Sequence, residues 1–326
     1  MNPASMTAGI AARRASTRTL LRLYSELSKG IFRLTHARER RHAERLWPHM
    51  RIERDGLGRV RRLALFGRTI PVLNGVTAAE LAPGASGAVA HLIASGPSIC
   101  DIDYPRLQLG PTLGVNGAIA LQCCHSVTFD YYCITDAGFI AQRPALVSRV
   151  LANAGVLFLT PLVLWRMAQH FPLRAVHGRI FVIERVGQHF GQPHGALILP
   201  HPPPMHDPPA LGFSEDIELG VFPGGTVAFE ALQILSWLGF RQICLHGVDL
   251  NAVPGKPRFY EREGDVMPTT LDRLLPTVIE PSFCRAAAVL RRRGVSVWNL
   301  SPDSALSDRV FPRCHWRSVL PRKATP

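Results

Sequence analysis

The sequence predicts an α/β fold: a doubly wound, mostly parallel, Rossmann-like sheet behind a basic, largely helical N-terminal extension. Three observations predict it. From His91 onward, short apolar runs alternate with helix-patterned segments, as in parallel strands joined by crossover helices. Two of those segments close on a glycine, Gly239 and Gly294, where a left-handed C-cap residue belongs. Several apolar runs end in small residues followed by a polar group, and the carboxyl ends of strands are where open α/β sheets bind ligands.

Residues 1 to about 48 read as helical, because Leu20, Leu21, Leu23, Tyr24, Leu27, Ile31, Phe32 and Leu34 recur at helical spacing among Arg and Lys. Such a stripe suits a membrane interface or docking on the main domain. Residues 59–73 read as a short hairpin, and the Gly- and Ala-rich stretch Ala82 to Ala88 as a linker. The chain therefore divides into a basic region over 1–88 and a ligand-binding domain over 89–326. Strands are expected at His91–Ala94, Thr112–Val115, Asp130–Thr135, Gly155–Thr160, Arg179–Glu184, Arg241–His246 and Val295–Leu300. Helices are expected at Thr226–Leu238 and Pro281–Arg293. Between Gly187 and Gly225 the chain is rich in Gly, Pro and His and reads as a long loop of the lid or acceptor kind.

The net charge of +13 is unevenly placed: residues 1–80 hold 16 Lys and Arg against 6 Asp and Glu, and so carry +10. A nucleic acid, an anionic membrane surface or a phosphorylated lipid would each answer that charge, as would a solvated helical face. No zinc-finger or RNA-binding signature accompanies it, so nucleic acid is not expected. No apolar run reaches the ~18–20 residues of a membrane span, and Arg13, Arg14, Arg18 and Arg22 interrupt any signal-like stretch. The seven cysteines make no CxxC pair and read as buried thiols of a reducing compartment. His189, His194, His201 and His206 are spaced unlike any helical or ribbon metal site, so no metal is expected.

The candidate site is spread over strand ends. Ser95, Gly96, Pro97 and Ser98 form a turn whose N–H groups and hydroxyls suit a phosphate or ribose. Asn116 offers an amide to a base or ribose, though Asn-Gly is also a common turn. Asp136 binds a hydroxyl, acts as a base or caps a helix. Thr226 caps a helix whose N-terminus attracts anions. His246, Gly247 and Asp249 end one strand, and Ser301, Pro302 and Asp303 end the last, where they suit a base or sugar edge.

At these residues the chain resembles a known family. From Leu211 to Pro312, the pieces GFSEDIELG, TVAFEALQI, the G-x-D-L turn, RFYE, the MP after it and NLSPDSALS resemble, in order and spacing, the WaaZ-type Kdo transferases of lipopolysaccharide core synthesis. SGPS, VNGA and ITDAGFIAQR continue the match more thinly. More distantly, GPSICDIDYPRL, GVD and SPDS are similar to segments of small bacterial sialyltransferases that use CMP-sialic acid. The resemblance implies an inverting glycosyltransferase moving Kdo, an eight-carbon sugar acid, from CMP-Kdo to a Kdo or inner-core acceptor. It implies no cofactor beyond the CMP-sugar donor, and a place on the inner face of the cytoplasmic membrane. Alternatives are a transferase of another CMP-sugar or a non-catalytic lipopolysaccharide assembly protein. The resemblance further implies nucleotide contacts from Ser95, Gly96, Ser98, Asn116 and Ser301 to Asp303. Tyr260 and Arg258 would meet the CMP phosphate, and Arg143 a Kdo carboxylate. A histidine that the sialyltransferases use as base has no counterpart between His246 and His315, which leaves Glu280, Asp136, Asp249 and His246 as candidates.

Overall fold

The computed structural model describes residues 20, 23–42, 44, 46–172, 179–194, 211–251, 258–262 and 264–319. Its centre is a seven-stranded sheet in the order β10-β9-β4-β5-β6-β7-β8, with every pairing parallel. The strands are β4 (Val89–Ile93), β5 (Thr112–Val115), β6 (Tyr131–Ile134), β7 (Val156–Leu159), β8 (Arg179–Val182), β9 (Gln242–His246) and β10 (Ser296–Asn299). All seven expected strands are present. They were readable because β5, β6 and β7 are buried along their whole length, so both faces must be apolar.

Side chains alternate between two cores, one on each side of the sheet. Ala90, Leu92, Tyr131 and Cys133 join α7 (Val227–Trp237) and α9 (Glu280–Arg292). Ile93, Tyr132 and Ile134 join α4 (Ala137–Gln142), α5 (Pro144–Asn153) and α6 (Pro161–His170). The chain runs outward from β4 through β8 and returns to β9 on the other flank of β4. The strand order therefore reverses between β4 and β9, which is the switch point where such sheets open a crevice.

The N-terminal region packs on the second core. Residues 23–35 form helix α1, and the expected hairpin is present as β2 (Val60–Leu65) and β3 (Arg68–Ile70). A third strand, β1 (Met50–Arg54), pairs antiparallel with β2 and was not anticipated. Trp47, Met50, Val60, Leu63 and Leu65 are buried in the same cluster as Ile93 and Trp165. Arg54 forms a bidentate ion pair with Glu184, just past β8. The Asn74 amide gives and takes hydrogen bonds with the backbone of Val182, at 2.8 and 2.9 Å, and so covers the outer edge of β8.

Two expectations need adjustment. The last helix begins at Glu280, one residue earlier than expected, and follows a short helix, α8 (Leu271–Leu274), and a wide π turn over Leu275–Ile279. Among the described residues of the 187–225 loop, His189 is buried and hydrogen-bonded to the Leu219 carbonyl at 3.0 Å, a packing role. His201 and His206 lie outside the described residues. No helix among the described residues is long and apolar enough to cross a membrane.

Candidate functional site

A cavity of about 940 Å³ opens at the carboxyl ends of the strands. Its walls come from the ends of β4 (Ser95, Gly96, Pro97), β5 (Asn116), β6 (Thr135, Asp136) and β9 (Gly247, Asp249), and from Thr226 at the start of α7. Thus nine of the expected residues, with Arg258 among them, line one space. Thr226 and Asp136 also cap their helices, accepting from Ala228 N and Gly138 N.

The wall at the switch point is closely tied. Gly96 N donates to Gly247 O at 2.9 Å. Asp249 accepts from Ser98 N at 2.9 Å and from the Ser98 hydroxyl, and Ser98 Oγ lies 2.9 Å from Ser301 Oγ. A Cβ on Gly96 would come within 2.6 Å of both the Asp249 carboxyl carbon and Gly247 O, so only glycine fits. Ser98 and Ser301 thereby sit behind the wall and are not among the lining residues. Pro302 and Asp303 are exposed outside it, held by Asn251 Nδ2 donating to Asp303 O. The SPDS segment therefore braces β9 from outside in this structure.

Two base candidates are not presented to the cavity. His246 is fully buried, with Nε2 2.9 Å from His91 Nδ1 and Nδ1 3.3 Å from the Tyr104 hydroxyl. Burial, then the neighbouring His91, hold it well below the ordinary histidine value. Glu280 opens α9 beyond Ile279, which packs near Gly225, and is not a lining residue. Asp249 lines the cavity with its carboxylate already engaged by Ser98. Asp136 lines the cavity and uses Oδ1 for its cap, which leaves Oδ2 with no hydrogen-bond partner among the described residues.

Tyr260 lies just off the cavity, packed so closely on Gly117 that a Cβ there would overlap its ring. Burial raises its phenol, and Arg258 and Arg143 oppose the rise. Arg258 donates to Glu261 at 2.8 Å. Arg143, expected at a sugar carboxylate, is instead spent on Asp265 at 2.8 Å and on Glu261 at 3.5 Å. It anchors the loop that carries Tyr260 and does not line the cavity.

Arg185 and Glu230 line the cavity unforeseen. Arg185 Nε donates to Glu230 Oε1 at 3.2 Å, and the Thr135 hydroxyl donates to Glu230 Oε2. Burial lifts the Glu230 carboxyl above its ordinary value and Arg185 limits the rise. Glu230 had a sequence signal: it is the lone charge in the apolar run TVAFEALQIL, and α7 is buried around it. Arg185 had none. Among the described residues no group of three or more His, Cys, Asp or Glu is placed to hold a metal ion.

Four of the wall segments come from beyond residue 220, and comparison with known proteins bears on that part of the chain. Residues 190–316 match the family model of the 3-deoxy-D-manno-octulosonic acid transferase WaaZ. A probable 3-deoxy-manno-octulosonic acid transferase of Escherichia coli (strain K12) is 34% identical over 102 residues, covering 31% of this chain and 34% of that protein. Its counterpart in Salmonella typhimurium (strain LT2) is 32% identical over 104 residues, covering 31% and 36%. The chain thus spans about a third of the length of these relatives. Among solved structures, the MAf glycosyltransferase of Magnetospirillum magneticum AMB-1 aligns with a TM-score of 0.45 at 15% identity, over 73% of this chain and 35% of that one. The sialyltransferase CstII of Campylobacter jejuni aligns with a TM-score of 0.43 at 11% identity, over 74% and 89%.

Proposed function

We propose that this protein is a glycosyltransferase that moves Kdo from CMP-Kdo to a Kdo or inner-core sugar of lipopolysaccharide, with inversion. One observation carries the reading: the stretch that matches the Kdo transferase family supplies Thr226, Glu230, Gly247, Asp249, Arg258 and Glu261 to a single strand-end cavity. Ser95, Gly96 and Asn116 complete it from the other half of the chain, where the nucleotide would lie against the β4 turn. Asp136 Oδ2 would take the proton of the attacking hydroxyl, and Arg258 with Tyr260 would meet the departing phosphate. The donor carries its own activated bond, so the reaction needs no further cofactor.

An assay of CMP release from CMP-Kdo and from CMP-sialic acid, with and without Kdo-lipid A, tests this reading. Release that needs both CMP-Kdo and acceptor is expected. Release from CMP-sialic acid alone would make it another CMP-sugar transferase, and CMP binding without release from either donor would leave a binding protein.

The reading extends to residues 1–88 as a lipid-facing region, with 89–326 as the transferase domain. Helix α1 docks through Tyr24, stacked on Trp165, and through Ser25, which accepts from Arg166 at 3.0 Å. Turned away from Ser25 it exposes Leu23, Leu27, Ile31 and Leu34. At about 100° per residue these fall within one quarter of the helix circumference. Arg33 on the same helix and Arg38 just after it are exposed as well, and both carry the charge that an anionic surface attracts. Pelleting of the full chain with phosphatidylglycerol vesicles is expected, and Leu27→Glu with Ile31→Glu should abolish it. Equal pelleting of that variant would refute the assignment.

A further inference from the structure

We infer that Arg185 is the carboxylate receptor of the cavity: its two terminal nitrogens grip the carboxylate of a sugar acid, while Glu230 holds the guanidinium in place. The inference deepens the proposed transfer of a sugar acid and rests on it.

A sugar acid brings a fixed negative charge that a partly closed cavity must meet with a cation. Among the described residues two arginines line this one. Arg258 spends one of its two terminal nitrogens, Nη1, on Glu261 at 2.8 Å and on the Met267 carbonyl at 3.4 Å, which breaks up its fork and leaves it a single-point donor to a phosphate. Arg185 spends only Nε, on Glu230, and its terminal nitrogens have no partner among the described residues. A guanidinium tethered through Nε still offers the fork that matches a carboxylate with two parallel hydrogen bonds.

Position agrees with this role. Glu230 is fixed by Thr135 at the end of β6, so the guanidinium it holds lies beside that strand end. The Arg258 loop is pinned to β4 instead, through Phe259 N and Ser95 O at 3.2 Å. β6 lies two strands from β4, which is about 10 Å at the usual strand spacing. A nucleotide seated at the β4–β9 wall would therefore extend its sugar toward Arg185.

Glu230 acts as a positioning residue. Burial works against the Arg185 charge, but the Glu230 carboxylate beside it keeps the guanidinium above its ordinary value. The cation is thus ready in the cavity before a ligand arrives. Both Kdo transfer partners carry a carboxylate, and a titration distinguishes them.

Calorimetric titration of the full chain with CMP, with CMP-Kdo, and with the methyl glycoside of Kdo in the presence of CMP reads the role. Arg185→Met should keep CMP affinity within about twofold and lose about 10- to 100-fold for a carboxylate-bearing ligand. Loss on CMP-Kdo assigns the donor, and loss on the methyl glycoside assigns the acceptor. Arg185→Lys, which keeps the charge without the fork, should recover part of that loss and serves if the methionine variant does not fold. Unchanged affinity for both sugar acids would overturn the inference, as would an equal loss for CMP itself. A wild-type chain that binds none of the three would instead overturn the transfer reading on which it rests.

Discussion

Asp249→Asn is expected to lower both the melting temperature and the affinity for CMP, because one carboxylate ties the β4 turn to the end of β9. The asparagine keeps one acceptor oxygen and loses the other, so either Ser98 N or the Ser98 hydroxyl faces an NH2 group. Asp249 is only 6% exposed, so water does not replace the lost partner. The NH2 can donate to the Ser98 hydroxyl, whose proton turns to Ser301 Oγ, so the cost is that of exchanging charge-assisted hydrogen bonds for neutral ones, about 1 kcal/mol. The turn that this bond holds carries Ser95, Gly96 and Pro97, so CMP affinity should fall by up to about 10-fold with it. Ser98→Ala, which keeps the backbone N–H bond, should show a smaller loss on both counts. Thermal melts and CMP titrations of the two variants check this, and wild-type values for Asp249→Asn would show that the wall does not depend on the carboxylate.

Glu44→Gln is expected to stabilise the protein above neutral pH and to have no effect near pH 4. Glu44 is buried at the start of α6, where Oε2 accepts from Leu162 N at 2.9 Å. Burial raises its carboxyl to about 7, and the Leu162 hydrogen bond only partly offsets that. Between its unfolded value of 4.5 and about 7 the folded state binds more protons than the unfolded state. Stability from this group is therefore full below the unfolded value and is lost as pH rises through 7. The loss amounts to about 3 kcal/mol by pH 8, and glutamine removes it while keeping an acceptor for Leu162.

The histidine pair has the opposite sign. Burial depresses His91 to about 4 and holds His246 well below its ordinary value too, so their stabilising contribution is present above the unfolded value of 6.5 and is lost as pH falls. The gap in stability between Glu44→Gln and the wild type should thus open between pH 4.5 and about 7 and stay constant above it, while both proteins lose stability together as the histidines protonate. A gap between the two proteins that does not widen from pH 4.5 to about 7 would mean that Glu44 is ionised without penalty in the fold.

The fold was legible where burial acts on consecutive residues. A strand covered on both faces must be apolar, so β5, β6 and β7 stand out as runs. β1, with the sequence MRIER, is half covered and shows Arg51 and Glu53 to water, which leaves too short an apolar pattern to mark a strand between the helical reading to about residue 48 and the expected hairpin. The π turn before α9 leaves no mark either, since Leu275 to Ile279 suits any helix.

The site was legible where it lies on strand ends and helix starts, and eight residues expected from that local chemistry do line the cavity, with Arg258 added by the family resemblance. What sequence could not supply was direction. His246 and Ser301 occupy the expected strand ends, yet one points into the core and the other behind the wall. Arg185 reaches the cavity through the pairing of its segment with Val221 and through Glu230, contacts between distant parts of the chain that leave no local pattern.

Amide hydrogen exchange of the full chain with and without CMP reads where the nucleotide sits. Protection gathered in residues 95–99, 116–119 and 247–250 is expected, with the edge strand β8 unchanged. Protection by CMP that spares all three of those segments would place the nucleotide elsewhere and contradict the transferase site described above.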